Sequence, residues 1–433
     1  MVFDTTSQLI NQPLALLGGP PVIETSNDHL FHWPIISDRA ERAVLDMLRN
    51  GQMSAWNVTQ EFERDFATYQ GTQFALGFPN GTMSLLAAMY GIGIGQGDEI
   101  IAPSLTYWAS VMPIFSLRGN VVFADNNPTT LCLSPTDIER HITSRTKAIL
   151  VVHYGGHPCD MDPILEIASQ HRLKVIEDVS HAHGGLYKGR IVGSLGDVGC
   201  FSLNSIKPLG VGEAGLICTN DREILERAIA FSDYGRHDEL LTDPQLRKIS
   251  GVSLGGVKGR MNQLCAALGR IQLSDYPARM AEIQGALHRF CDLLEGCPGL
   301  RAHRTPKGSD STMGGWYNPL GFYNSRELSG LPVERFTTAV RAEGVKLMGG
   351  CNPPLHLHPA FNTADIYNDG IPTRLAHSDR DLRQPPGSLP HAENSPGRTF
   401  CIPWFKRDDP AEIEHHAAAY WKVALQANTL LNG

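Results

Sequence analysis

Short apolar runs alternate with longer helical or turn-rich stretches through much of the chain. The runs cover residues 100–102, 121–123, 148–152 and 173–176. Apolar runs of this length are typical of parallel strands buried on both faces, because the crossover helices cover the sheet. The pattern predicts an α/β fold.

Helices are predicted on both sides of this region. One covers roughly residues 38–50, and another begins after residue 260 and continues to about 295. The last is predicted to end near residue 426, because Asp409 suits its N-cap, Pro410 suits its first turn and an alanine-rich stretch follows.

The chain is long enough to bury a sizeable core, with 433 residues of which 42% are hydrophobic. Glycine, proline and serine cluster at 297–315, after the long helical stretch, and this cluster marks the start of a smaller domain. The predicted organisation is an N-terminal arm at 1–35, a large domain at 36–280 and a small C-terminal domain at 281–433.

Charge and cysteine usage narrow the class of protein. The net charge is −8, without the block of basic residues that would follow a nucleic-acid backbone. Residues 1–13 lack the pattern of a signal peptide, and no apolar run is long enough to span a bilayer, so we expect a cytoplasmic protein with neither nucleic-acid nor membrane partners. The nine cysteines are scattered without a Cys-x-x-Cys pair, which favours reduced thiols.

One lysine and one upstream aspartate indicate the chemistry. Lys207 lies in a segment rich in glycine, serine and asparagine, where Pro208 favours an extended backbone. Asp178 ends the apolar run that begins near residue 173. An enzyme that uses pyridoxal 5'-phosphate needs an amine to hold the cofactor aldehyde and a carboxylate to keep the pyridine nitrogen protonated. The alternative interpretation of a single lysine is a solvated surface residue.

Two further patterns are candidate ligand sites. Asn80, Gly81 and Thr82 begin an apolar-periodic helix, which indicates either an anion site at a helix start or an ordinary asparagine cap. His356 and His358 alternate in a way that suits zinc, but no third ligand is placed by spacing, so no metal is expected.

Several motifs together resemble the DegT/StrS-type aminotransferases, the sugar- and cyclitol-modifying branch of the aspartate-aminotransferase fold. The resemblance is strong over residues 35–280 and is carried by segments 61–63, 80–82, 97–100, 106–110, 153–156, 177–184 and 201–215. It implies pyridoxal phosphate fold type I, in which helices enclose a mostly parallel seven-stranded sheet and a smaller α+β domain follows.

The resemblance also implies roles around the cofactor ring. Lys207 would hold the cofactor covalently and move a proton at the substrate carbon, and Asp178 would pair with the ring nitrogen. Tyr107 matches the aromatic residue that stacks on the ring, and His181 matches a position close to the ring. His183, in the same motif, is expected on the substrate side. Core packing is the alternative for Tyr107 and His181.

The phosphate site is implied in the same way. Gly81, Thr82 and Ser202 match the residues that bind the phosphate. The family's Gly-x-Asn-x-Arg motif, whose asparagine reaches the neighbouring subunit's phosphate, here has Lys258 at the asparagine position. A lysine there would bind phosphate as a point charge, and the arrangement implies a homodimer with shared active sites.

The resemblance predicts a transaminase that takes an amino group from L-glutamate or L-glutamine, with Arg260 binding the donor carboxylate. Family members that dehydrate deoxysugars carry histidine at the position of Lys207, so a lysine favours amino transfer. Segments 352–359 and 388–393 resemble inosose-type enzymes, which predicts a keto-cyclitol or unactivated keto-sugar as the acceptor. The alternatives are a nucleotide-linked keto-sugar, a lyase or epimerase, and a non-catalytic regulator on the same scaffold.

Overall fold

The computed structural model describes residues 7–25 and 27–432. The first six residues of the predicted arm therefore lie outside the described residues. Among the residues described, no helix is long and apolar enough to cross a membrane.

The large sheet is built from seven of the first nine strands. In chain order the strands are β1 Phe74–Phe78, β2 Glu99–Pro103, β3 Asn120–Ala124, β4 Thr146–Val152, β5 Lys174–Asp178, β6 Leu186–Tyr187, β7 Arg190–Ile191, β8 Val198–Ser202 and β9 Gly215–Thr219. The spatial order is β1-β9-β8-β5-β4-β2-β3, and β6 pairs with β7 in a separate hairpin. Strand β9 runs antiparallel to both of its neighbours, β1 and β8, and the other neighbouring pairs of the large sheet are parallel. The predicted α/β fold with a mostly parallel seven-stranded sheet is confirmed.

Strands β2 and β3 are buried along their whole length, at all five residues of each, because helices cover both faces of the sheet. The longer helices are α1 Asp38–Arg49, α2 Asn57–Gln70, α3 Gly81–Gly91, α4 Pro135–His141, α5 Met161–His171, α6 Arg222–Ser232, α7 Gln263–Leu293, α8 Val333–Ala342 and α9 Pro410–Leu425. Shorter helices lie at Ser7–Ile10, Pro113–Ser116, His237–Leu240, Pro244–Arg247, Pro359–Asn362, Thr373–Ala376, Pro390–Asn394 and Ala427–Asn432.

The predicted helices are confirmed at α1, α7 and α9, and the Asp409 side chain accepts a hydrogen bond from the Glu412 amide at the start of α9. The boundary predicted between residues 280 and 281 falls inside α7, which is continuous to Leu293. The division into domains remains a prediction.

A second sheet follows α7. Strands β10 Leu300–Ala302, β11 Leu320–Tyr323 and β12 Thr399–Cys401 pair antiparallel in the order β10-β11-β12. A buried ion pair between Lys422 of α9 and Glu343 lies nearby, and the same carboxylate accepts hydrogen bonds from the amides of Ala15 and Val22. These bonds fasten the N-terminal arm to the C-terminal part of the chain.

Candidate active site

The sheet topology brings the ends of three strands to one edge. Asp178 is the last residue of β5 and Ser202 is the last residue of β8, and β1 ends just before α3 begins at Gly81. Gly215, the first residue of β9, pairs with Phe78 on one side and with Ser202 on the other. The ends of β1 and β8 therefore lie on either side of the start of β9. Ligands of open α/β sheets bind outside the carboxyl ends of parallel strands, where these residues lie.

The start of α3 lies directly against β8. A Cβ atom at Gly81 would approach the Ser202 Cβ to 2.7 Å, so only glycine allows this close contact. The Asn80 side chain caps the helix by accepting a hydrogen bond from the Met83 amide at 2.8 Å. The first amide N–H groups of a helix have no partner within it, so the amides of Gly81 and Thr82, together with the Ser202 hydroxyl, can bind a phosphate.

Two hydrogen bonds orient the buried Asp178 carboxylate. The Ser110 hydroxyl donates to one oxygen at 2.8 Å, and the Ser180 amide donates to the other at 3.0 Å. Ser110 also contacts the Thr106 hydroxyl at 2.9 Å. Sequence reasoning did not give Ser110 a role, although this serine lies within the 106–110 segment that carries the family resemblance.

Lys207 follows β8 in a turn that is held from two sides. Its amide donates to the Asn204 carbonyl at 2.8 Å, and its carbonyl accepts from the Trp33 indole at 2.9 Å. The amine lies 3.6 Å from the centre of the Tyr317 ring. Burial lowers the pKa of Lys207 from 10.5 to about 8, an effect that the negative charge of Asp178 partly offsets. About one molecule in ten then carries a neutral, nucleophilic amine at pH 7, against fewer than about one in a thousand at the ordinary pKa.

His181 is buried in the same site. Its ring centre lies 4.5 Å from that of Tyr317 and 5.6 Å from that of Tyr154. Burial, followed by the charge of Lys207, holds the pKa of His181 well below its usual value, so the imidazole is neutral. Within the described residues, its Nδ1 atom has no hydrogen-bond partner. A buried polar atom of this kind is suited to a ligand group.

His183 lies deeper, with 2% of its surface exposed. Its ring centre is 5.8 Å from that of Phe201, and burial together with the charge of Lys207 lowers its pKa to about 3. The ring is therefore neutral. Its role in substrate binding remains a prediction.

A segment that sequence reasoning missed completes the site. Gly314 and Gly315 pack so closely on the site that a Cβ atom at Gly314 would meet the Ala182 carbonyl oxygen at 2.1 Å and one at Gly315 would meet Pro208 at 2.2 Å. Trp316 follows with a positive φ of 50°. This tight passage places Tyr317 over Lys207. The only signal in the sequence was the glycine pair, which was interpreted as part of the loop that begins the small domain.

Three predicted site residues are more exposed than the buried part of this cluster. Tyr107 is 51% exposed, its ring centre lies 5.1 Å from that of Trp108, and it is close enough to Tyr317 that its charge, after burial, helps to raise the pKa of Tyr317. Lys258 is exposed, and the Arg260 guanidinium lies 5.8 Å from the centre of the Trp56 ring. The roles predicted for these residues remain predictions.

His356 and His358, the pair considered as zinc ligands, both take part in hydrogen bonds within the protein. His356 is buried between the Ser104 hydroxyl, 2.7 Å from Nδ1, and the Glu393 carboxylate, 3.0 Å from Nε2. The exposed His358 accepts a hydrogen bond from the Ala360 amide. Earlier in the same segment, Asn352 accepts a hydrogen bond from the Tyr154 hydroxyl at 2.7 Å. Segment 352–359 therefore lies beside the His181 side of the site.

The residues present fit pyridoxal phosphate. Lys207 provides the amine with a lowered pKa, and Asp178 provides an oriented carboxylate. The helix start at Gly81 provides amides where an added Cβ would collide with Ser202. His181 provides a buried ring nitrogen without a partner.

Known proteins with similar sequences point the same way. The sequence profile of the DegT/DnrJ/EryC1/StrS aminotransferase family matches residues 34–394. L-glutamine:scyllo-inosose aminotransferase of Streptomyces griseus is 33% identical over 352 residues, which are 77% of this chain and 80% of that protein. GDP-perosamine synthase of Escherichia coli O157:H7 is 40% identical over 256 residues, 58% of this chain and 68% of that protein.

A solved structure agrees over nearly the whole chain. The aminotransferase from Psychrobacter cryohalolentis superposes with a TM-score of 0.78 at 29% identity, covering 90% of this chain and 97% of its own.

Proposed function

The chain belongs to the DegT/DnrJ/EryC1/StrS aminotransferase family, whose aminotransferases depend on pyridoxal phosphate, and on that premise we propose that it transfers the amino group of L-glutamate or L-glutamine to the ketone of a cyclitol or of a sugar without a nucleotide. The observation that carries the chemistry is the Lys207 amine, covered by the Tyr317 ring at 3.6 Å, together with an Asp178 carboxylate that two hydrogen bonds orient.

When bound, pyridoxal phosphate supplies an aldehyde and an electron-accepting ring. Asp178, oriented by Ser110, would face the ring nitrogen, and Gly81, Thr82 and Ser202 would hold the phosphate while Lys207 is displaced. The Lys207 amine would then be free to take a proton from the donor carbon that bears nitrogen. In the second half of the reaction it would give a proton to the acceptor carbon that receives nitrogen. His181, being neutral, would serve as a hydrogen-bond partner without competing for that proton.

The surroundings of Lys207 support an acceptor without phosphate groups. Tyr317 covers the amine, and the Tyr317 ring contacts the neutral imidazole of His181, which in turn contacts Tyr154. A nucleotide-linked sugar would call for an open basic groove for its diphosphate, whereas a ring ketone with hydroxyl groups needs hydrogen-bonding partners such as Asn352. The similarity to the Streptomyces griseus inosose enzyme over 77% of the chain supports the same choice.

A nucleotide-linked keto-sugar is the second candidate acceptor, favoured by the 40% identity to GDP-perosamine synthase over the shorter matching region. For either acceptor we propose a homodimer in which the loop that carries Lys258 and Arg260 reaches the partner's site. The exposure of Lys258 leaves its charge available for that contact.

A paired-substrate assay tests the proposal. Protein loaded with pyridoxal phosphate is mixed with L-glutamate or L-glutamine, and release of the keto acid is measured. Keto-inositols and nucleotide-linked keto-sugars are then offered separately, and the aminated product is identified by mass spectrometry. We expect turnover with a keto-inositol, no turnover in Lys207→Ala, and unchanged turnover in Lys307→Ala, which alters an exposed lysine. Turnover only with nucleotide-linked ketones would overturn the acceptor assignment.

A further inference from the structure

A second lysine near the site has a buried amine that no hydrogen-bond acceptor of the described residues reaches. Lys406 follows β12 and precedes α9, and only 3% of its surface is exposed. Its ammonium lies over the rings of Trp404 and Trp33, 4.5 Å from the centre of the latter. Within the part of the chain that the structure describes, its Nζ atom has no hydrogen-bond partner. An ammonium has three N–H donors, and burying it without an acceptor is costly.

The adjacent indole has the same unmet requirement. The Nε1 atom of Trp404 is buried and, within residues 7–25 and 27–432, also has no hydrogen-bond partner. Burial lowers the pKa of Lys406 well below its usual value, which is the expected response of an amine without an anion. An entering carboxylate would satisfy both donors and favour the charged form of the lysine.

The Lys406 amine and the Trp404 indole lie next to Tyr317, the residue that covers Lys207 in the candidate active site. The ring centres of Trp404 and Tyr317 are 5.5 Å apart, and the Lys207 amine lies 3.6 Å from the centre of the Tyr317 ring. Trp33 donates its indole hydrogen to the Lys207 carbonyl while its ring faces Lys406. Aromatic rings thus link the two lysines, one suited to the donor's amino group and the other to an anion.

We propose that Lys406 and the Trp404 indole bind a carboxylate of the amino donor. The proposal rests on the aminotransferase function proposed above and assigns to Lys406 the role that the sequence predicted for Arg260. In the described chain the Arg260 guanidinium stacks near Trp56, whereas the donors of Lys406 and Trp404 are unsatisfied next to Tyr317. A carboxylate fits this site better than a diphosphate because so little of Lys406 reaches the surface.

Lys406→Met and Lys406→Arg test the assignment in the full, cofactor-loaded protein. Stopped-flow absorbance gives the apparent dissociation constant of L-glutamate or L-glutamine and the maximal rate of the first half-reaction. Loss of a charge-assisted contact should raise that constant about 30-fold in Lys406→Met. The maximal rate and the constant for the keto acceptor should change less than about threefold, and Lys406→Arg should recover most of the donor binding. Lys307→Met, which removes an exposed lysine, is the matched control.

Calorimetric titration with glutarate, a dicarboxylate that cannot donate an amino group, gives a readout independent of turnover. Binding by wild type that is lost in Lys406→Met supports the carboxylate site even if no acceptor is ever aminated, so the two proposals can fail separately. Unchanged donor and glutarate binding in Lys406→Met would overturn the assignment and leave Lys406 as a packing residue. Weaker acceptor binding with normal donor binding would also overturn it, because the anion would then belong to the acceptor.

Discussion

Replacing Lys207 with methionine should stabilise the cofactor-free protein. Burial lowers the pKa of Lys207 from 10.5 to about 8, so the folded chain disfavours the charged amine. At about 1.4 kcal/mol for each tenfold change in proton affinity, the ammonium costs the fold up to about 3 kcal/mol. Methionine has a similar length and no charge, so Lys207→Met removes that cost.

The sign of the pH dependence follows from the two pKa values. Below pH 8 the lysine is charged in both the folded and the unfolded chain, and the whole cost is present. Between pH 8 and 10.5 the folded amine is neutral while the unfolded one is still charged, so the cost declines, and above 10.5 it disappears. The gain from Lys207→Met should therefore shrink to less than about 1 kcal/mol at pH 10.

Urea-induced unfolding of the cofactor-free protein at pH 7 and pH 10, at one protein concentration, measures both effects. Lys307→Met, which removes a lysine exposed on the surface and paired with Asp292 and Glu295, should give no gain at either pH. A Lys207→Met protein no more stable than wild type at pH 7, or equally stabilised at both pH values, would refute the reasoning.

Three other changes test the site and its support. Ser110→Ala removes the hydrogen bond that orients Asp178 and should slow the donor half-reaction about tenfold or more in stopped-flow measurements, whereas Ser110→Thr retains the hydroxyl and most of the rate. Gly81→Ala puts a Cβ atom 2.7 Å from that of Ser202 and should weaken pyridoxal phosphate binding at least about tenfold in equilibrium titration, while Gly397→Ala, where an added Cβ meets no neighbour within 4 Å, should bind normally. Glu63→Gln disrupts a buried bidentate pair with Arg236 and should lower the free energy of unfolding by about 3 kcal/mol, whereas Glu61→Gln, in a more exposed pair with Arg270, should cost less than about 1 kcal/mol in the same denaturation experiment.

Sequence patterns alone singled out part of the site. Asp178 ends a buried apolar run, Lys207 lies in a glycine-rich turn and Gly81 begins a helix, although that helix start equally suits an ordinary asparagine cap. Ser202 was placed only by the family resemblance, and the meeting of these residues at one edge of the sheet is seen in the structure. Trp33, Tyr317 and Lys406 are distant from these residues in sequence and come from the arm and from the C-terminal part of the chain. Nothing local in the sequence predicts which aromatic residue will cover a given lysine, because that depends on how the segments pack. Tyr317 is placed by the glycine contacts before it, and these contacts become visible only in three dimensions.

The same surroundings that make Lys207 reactive also bear on the choice of acceptor. A neutral amine near pH 7 requires burial, and aromatic rings such as Tyr317 provide it without supplying an anion that would raise the pKa again. The charge of Lys207 in turn helps to keep His181 neutral, and the amine next to these rings, Lys406, is the one we assign to the donor's carboxylate. A diphosphate would compete with that carboxylate for the same amine, whereas a polyhydroxylated ring ketone would bring only neutral polar groups. The burial that lowers the pKa of Lys207 and the proposed acceptor without phosphate groups therefore have a common physical cause in the uncharged rings around the amine.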